Sequence, residues 1–144
     1  MTQAEIERVR IVHNPVPPGA DPSTADVLDE AHLVEEALRE LDIAVERVPL
    51  EPAALWSVPL SPGELLFNLI ESPPSAPLLQ LLAAATLELR GAVFTGSSAH
   101  ALWLTTDKLA TSALLAAEGV SVAPGGVLEP DRPEVLSRVP TPWI

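Results

Sequence analysis

The run Leu65-Leu66-Phe67-Asn68-Leu69-Ile70 (LLFNLI) is almost wholly apolar. A strand with one face in water alternates apolar and polar residues, whereas an unbroken apolar run fits a strand covered by helices on both faces of a parallel sheet. Upstream, Val9 to His13 (VRIVH) is a β-branched run stopped by Asn14-Pro15 and reads as the first strand. Between these two, Ile43 to Leu50 resumes the strand pattern, and Ala53 to Trp56 suits one helical turn. Downstream, Gly91 to Thr95 (GAVFT) reads as another buried strand ending at Gly96, and Val120 to Val122 and Gly126 to Glu129 read as short extended segments.

Helical patterns fill the gaps. Ser23 or Thr24 is placed to cap a helix reaching about Leu41, with Asp26 in its first turn. In it Val27, Leu28, Ala31, Val34, Leu38 and Leu41 make an apolar stripe, and Asp29, Glu30, Glu35, Glu36 and Glu40 take other faces as a solvated surface. Pro77 to Leu89 is a Leu/Ala-rich helix. Ser97 or Ser98 is placed to cap a short helical piece, and Thr106 the next helix, Asp107 to about Glu118, which Gly119 would end. Strands alternating with helices predict an α/β fold: a three-layer, Rossmann-like, mostly parallel sheet with flanking helices. In such sheets ligands collect beyond the carboxyl ends of the strands, and the loops after His13, Ile70 and Phe94 face that edge.

Composition narrows the chemistry. The 144 residues carry 20 Asp plus Glu against 8 Lys plus Arg, a net charge of -12, and no cysteine. Disulfides, thiolate catalysis and Cys-ligated metals are thereby excluded. Basic residues are scattered singly, so no stripe exists to meet a nucleic-acid backbone. Apolar stretches fall short of the roughly 20 residues a membrane helix needs, and no export signal is visible at the N-terminus. A cytoplasmic protein without nucleic-acid or membrane partners is the expectation. The 16 prolines cluster between apolar-periodic segments and punctuate folded elements.

Few residues stand out as chemistry. Lys108 is the one lysine, and it falls in the first turn of a helix, where a cation opposes the helix dipole. It reads either as a surface residue paired with Asp107 or Glu118, or as a point charge aimed at a phosphate oxygen. Thr95-Gly96-Ser97-Ser98 joins a strand to a helix start, a geometry able to meet an anion or simply to make a tight connection. Glu71, at the end of a buried strand, is the acid whose position suggests a cleft. His13, His32 and His100 lack the spacing of a zinc site.

Taken together, FNLIES (Phe67 to Ser72) and VFTGSSAHALWLTTDKLATSALLAAEGVSVAP (Val93 to Pro124) resemble the N-terminal domain of the D-alanine-D-alanine ligase group of ATP-grasp enzymes. Phe67-Asn68, Phe94-Thr95-Gly96-Ser97, Asp107-Lys108, Thr111, Leu114-Leu115 and Gly119-Val120 carry the likeness in order and spacing, and ALRELD in the first helix extends it. The resemblance implies a pre-ATP-grasp domain over residues 1–124, with residues 125–144 as a linker and the start of an ATP-grasp domain that this chain lacks. It implies ATP and Mg2+ as cofactors of the full-length enzyme, with Lys108 on an ATP phosphate and Asn14, Asn68, Glu71 and Ser97 as substrate-cleft candidates. Ala25 stands where the family has the glutamate that engages the first D-alanine, and Glu71-Ser72 replace a His-Gly pair. A carboxylate-amine or peptide ligase with another substrate is therefore the better match.

The expected function is the substrate-side domain of an ATP-dependent carboxylate-amine ligase working through an acylphosphate. It would take small carboxylate and amine substrates, require an ATP-grasp domain in cis or in trans, and be inactive alone. The alternative is a stand-alone binding or oligomerisation module, pairing with a separate ATP-grasp partner or with itself as a homodimer. A Rossmann-type dinucleotide binder lacks the G-x-G-x-x-G turn after the first strand.

Overall fold

A computed structural model describes residues 6–126, which fall into two compact units dividing after Ala99. The first unit is α/β. Strands β1 (Arg8–His13), β2 (Ala44–Pro49) and β3 (Glu64–Leu69) form a three-stranded sheet of order β2-β1-β3 in which both pairings are parallel. Helix α1 (Pro22–Glu40) connects β1 to β2. A 3-10 turn (Pro52–Trp56) lies between β2 and β3, and α2 (Leu79–Leu89) follows β3.

Side chains alternate across β1 as strand geometry requires. Val9 and Ile11 point to a core shared with Ala31, Val34 and Leu38 of α1, whereas Val12 joins Leu66, Ile70, Ala83 and Leu87 under α2 and the 3-10 turn. The sheet is thus the middle of three layers, and β1, at its centre, is the most deeply buried strand. This is the α/β arrangement that the apolar runs predict.

Several local expectations are corrected. The cap of α1 is Asp21, not Ser23 or Thr24: its carboxylate accepts from the Thr24 N–H at 3.1 Å and the Thr24 hydroxyl at 2.7 Å. Pro22, which has no N–H and a helix-ready φ, takes the first helical position. Asp26 consequently lies beyond the first turn, which holds no acid. Leu28 and Leu41 of the supposed stripe are exposed, while Glu35, assigned to the solvated surface, is buried. It is buried because two arginines meet it: Arg39, one turn on, donates to Oε1 at 2.6 Å, and Arg47 of β2 brings its Nε within 2.8 Å of Oε2.

Gly91 to Thr95 is not a buried strand. It touches the sheet through one parallel bridge, Leu66 to Phe94, with Leu66 N–H donating to Val93 and Thr95 N–H to Leu66. The Thr95 hydroxyl then accepts from the Asn68 N–H at 3.0 Å, taking the place of the next ladder bond. Gly91 at φ 68° and Gly96 at φ 107° turn the chain at either end, and Val93 is 61% exposed. No strand forms at Val120 to Val122, and the rest of the segment Gly126 to Glu129 lies outside the described residues.

The second unit contains α3 (Ala99–Thr106), whose first residue is the last of the first unit, and α4 (Lys108–Ala117). Asp107, rather than Thr106, caps α4, accepting from the N–H groups of Leu109 and Ala110, each at 3.0 Å. Thr111 reaches back with its hydroxyl to the Leu104 carbonyl and so fastens the two helices. Gly119, at φ 80°, ends α4 as its position predicts. Among the described residues no helix is long and apolar enough to cross a membrane.

Candidate functional site

In the order β2-β1-β3 the chain moves one way from β1 to β2 and the other way to β3, so the crevice beyond the carboxyl ends of β1 and β3 is the switch point of the sheet. A cleft of about 410 Å³ lies there. Asn14 follows β1, Glu51 follows β2 and Glu71 follows β3. Thr24 and Val27 of α1 and Leu79 of α2 complete its sides.

Asn14 holds the crevice together. Its Nδ2 donates to the Glu71 carbonyl at 3.2 Å and its Oδ1 accepts from the Glu71 N–H at 2.7 Å, so one amide side chain pairs with the backbone as a third strand residue would. This doubly bonded bridge ties the tips of β1 and β3 and leaves the Glu71 carboxylate unused by it. Behind it, Ser72, which also lines the cleft, accepts from the Gln80 N–H at 2.9 Å and anchors the proline-rich loop to the start of α2.

The charge of the cleft is one-sided. Its lining holds the carboxylates of Glu51 and Glu71 and no lysine, arginine or histidine. The N-terminus of α1 opens on it, yet the Asp21 carboxylate already accepts from that terminus, and the Thr24 bonds hold Asp21 below the ordinary aspartate range. A helix end neutralised by its own cap is a poor anion site. The cleft therefore suits a cationic group and disfavours a phosphate.

The sequence-derived candidates distribute unevenly. Asn14 and Glu71 meet in the cleft. Asn68 serves the backbone instead, its Oδ1 accepting from the Ile70 N–H at 3.3 Å. Ser97 is exposed and outside the cleft lining. Lys108 belongs to the second unit, exposed at the first position of α4, and its ammonium makes no ion pair among the described residues; Asp107 is occupied in capping. Glu51 is the residue that sequence reasoning missed. It follows β2 as Glu71 follows β3, so the rule that points to strand tips could have found it.

Among the described residues no group of three or more histidine, aspartate or glutamate side chains is placed to hold a metal ion. Comparison of the chain with protein-family models, with curated proteins and with solved structures found no match.

Proposed function

We propose that this chain is the substrate-side domain of an ATP-dependent carboxylate-amine ligase, and that its cleft receives the amine substrate. The observation that carries this reading is that Glu51 and Glu71 both line a cleft without lysine, arginine or histidine at the switch point of a parallel sheet. In this reaction class ATP activates a carboxylate as an acylphosphate. The part left to these residues is to hold the ammonium end of the second substrate until it is positioned. The Asn14 bridge fixes the loop bearing Glu71, and the apolar side made by Val27 and Leu79 accommodates a small aliphatic group. The described residues do not fit magnesium, so the reading assigns metal and nucleotide phosphates to an ATP-grasp domain in cis or in trans, and Lys108 is the group of this chain that it offers to phosphate.

Exposed carboxylate–ammonium pairs contribute about 0.2–1 kcal/mol each, so binding by the chain alone is weak. Nuclear magnetic resonance titration with alaninamide as the amine probe should shift the amides of Asn14, Glu51, Glu71 and Ser72, and ATP should leave them in place. Replacing both acids, Glu51→Gln with Glu71→Gln, should weaken the amine response several-fold. Amine shifts unaffected by that double replacement, or ATP shifts centred on the cleft, would overturn the reading. The second reading, a binding or oligomerisation module, is favoured by the exposed Leu78, Leu82 and Leu89 on the outer side of α2.

A further inference from the structure

Helix α2 buries Leu79, Ala83, Ala84, Thr86 and Leu87, of which Leu79, Ala83 and Leu87 share a core with Val12 and Leu66 of the sheet, and its other side is also apolar. Leu78, Leu82 and Leu89 are 53%, 58% and 77% exposed, and half-buried Ala85 lies between the last two. The spacing 78, 82, 85, 89 runs four, three, four, which is the seam of a heptad repeat. A seam of this kind has no role in the cores of the first unit, where none of these four residues takes part.

We propose that this seam pairs two copies of the chain through antiparallel packing of α2 on α2. A twofold axis between Ala83 and Ala84 sets Leu78 against the partner's Leu89 and Leu82 against the partner's Ala85. All four seam positions then find seam partners. One layer joins two large side chains and the other sets a large one against a small one, so the stripe is complementary to itself, as an isologous contact requires.

Charge favours this face over that of α1 and favours the same direction. A chain of net charge -12 meets a second copy only where acid is sparse. The outer side of α1 carries exposed Asp29, Glu30, Glu36 and Glu40, whereas α2 has the single acid Glu88, whose Oε1 accepts from the Ala99 N–H at 3.0 Å. In the antiparallel register the two Glu88 residues lie about 13 Å apart along the axis at 1.5 Å per residue, beyond the roughly 8 Å screening length at physiological salt. Parallel pairing would bring them level. The sheet edges are poorer alternatives for a symmetric pair: the outer side of β3 carries the Phe94 bridge, and on β2 the dyads of fullest overlap centre on Glu46 or Arg47 and set like charges opposite each other.

Two helical layers fall short of the roughly 800 Å² per partner of a standard interface, so the pair is weak and concentration-dependent. Sedimentation velocity of the full chain should show the mass rising from 15.2 kDa toward twice that value with concentration. Added NaCl should favour the pair, since the contact is apolar and the chains repel. Leu82→Glu should hold the chain monomeric; Leu82→Ser, which adds no charge, should weaken association with an unchanged circular dichroism spectrum, because the side chain is exposed. The chain has no cysteine, so direction can be read by oxidation: mixed Leu82→Cys and Ala85→Cys preparations should form the mixed disulfide in preference to either homodisulfide. A monomer at every concentration, association indifferent to Leu82→Glu, or a preference for the Leu82→Cys homodisulfide would overturn the proposal.

Discussion

Arg10 and Glu64 are the costliest pair in the sheet to break. Their side chains are 10% and 2% exposed, the guanidinium donates to Glu64 at 2.7 Å, and its other nitrogen donates to the Pro59 carbonyl at 2.9 Å. Removing one partner leaves the other charge buried, so Arg10→Met should destabilise the chain by about 3–5 kcal/mol, and pairing it with Glu64→Leu should recover most of that loss. Urea denaturation of the two variants checks it; equal losses in both would mean that packing, not charge, holds the site. Such pairs are the part of the fold least legible in sequence. Arg10 and Glu64 are 54 residues apart, and only the register that sets Arg8 against Glu64 brings them within reach. The burial of Glu35 is illegible for the same reason, since it depends on Arg47 arriving from another element. Asn14 and Glu71 were legible because a residue that follows a strand of a parallel sheet lies at the ligand edge whatever its contacts. Glu51 obeys that rule too.

At the scale of elements, α1 is fixed at its start by one carboxylate. The Asp21 cap is formed by the ionised side chain, and its bonds to Thr24, the side-chain one first, lower its pKa from the ordinary value. A carboxyl whose folded pKa is depressed contributes stability above its unfolded pKa and loses it as pH falls through the folded one. The α1 contribution should therefore be complete at neutral pH and decline below the ordinary aspartate range. Asp21→Asn keeps a capping oxygen but removes the titration, so its melting temperature should fall less steeply over that acid range than the parent's, as circular dichroism melts across pH would show. An unchanged slope would mean other carboxylates carry the acid limb. Strands and helices with long apolar patterns were readable because burial of a face dictates the pattern. Gly91 to Thr95 has a strand's composition and fails as one because the Thr95 side chain ends its pairing after a single bridge, a choice that composition does not encode.

Across the whole molecule, repulsion among acids competes with a small number of ion pairs. Among the described residues Arg8, Arg10, Arg39 and Arg47 share only Glu35, Glu46 and Glu64 as carboxylate partners, which leaves most of the described acids without an arginine or lysine partner. Salt weakens both effects, and with a net charge of -12 the repulsive one is larger. Raising NaCl from about 0.01 M to about 0.15 M shortens the screening length from roughly 30 Å to 8 Å, and the melting temperature should rise across that interval. Glu40 is the place to test the cause. It is the last residue of α1, where a negative charge opposes the helix dipole, and it stands one turn from Glu36. Glu40→Lys exchanges that repulsion for attraction and reverses the dipole term, so it should stabilise the chain by about 0.5–1 kcal/mol and make its melting temperature less sensitive to salt. Differential scanning calorimetry at both salt levels, at one protein concentration, measures the two effects together. A parent whose melting temperature falls with salt would show that the few arginine pairs outweigh the excess of acid.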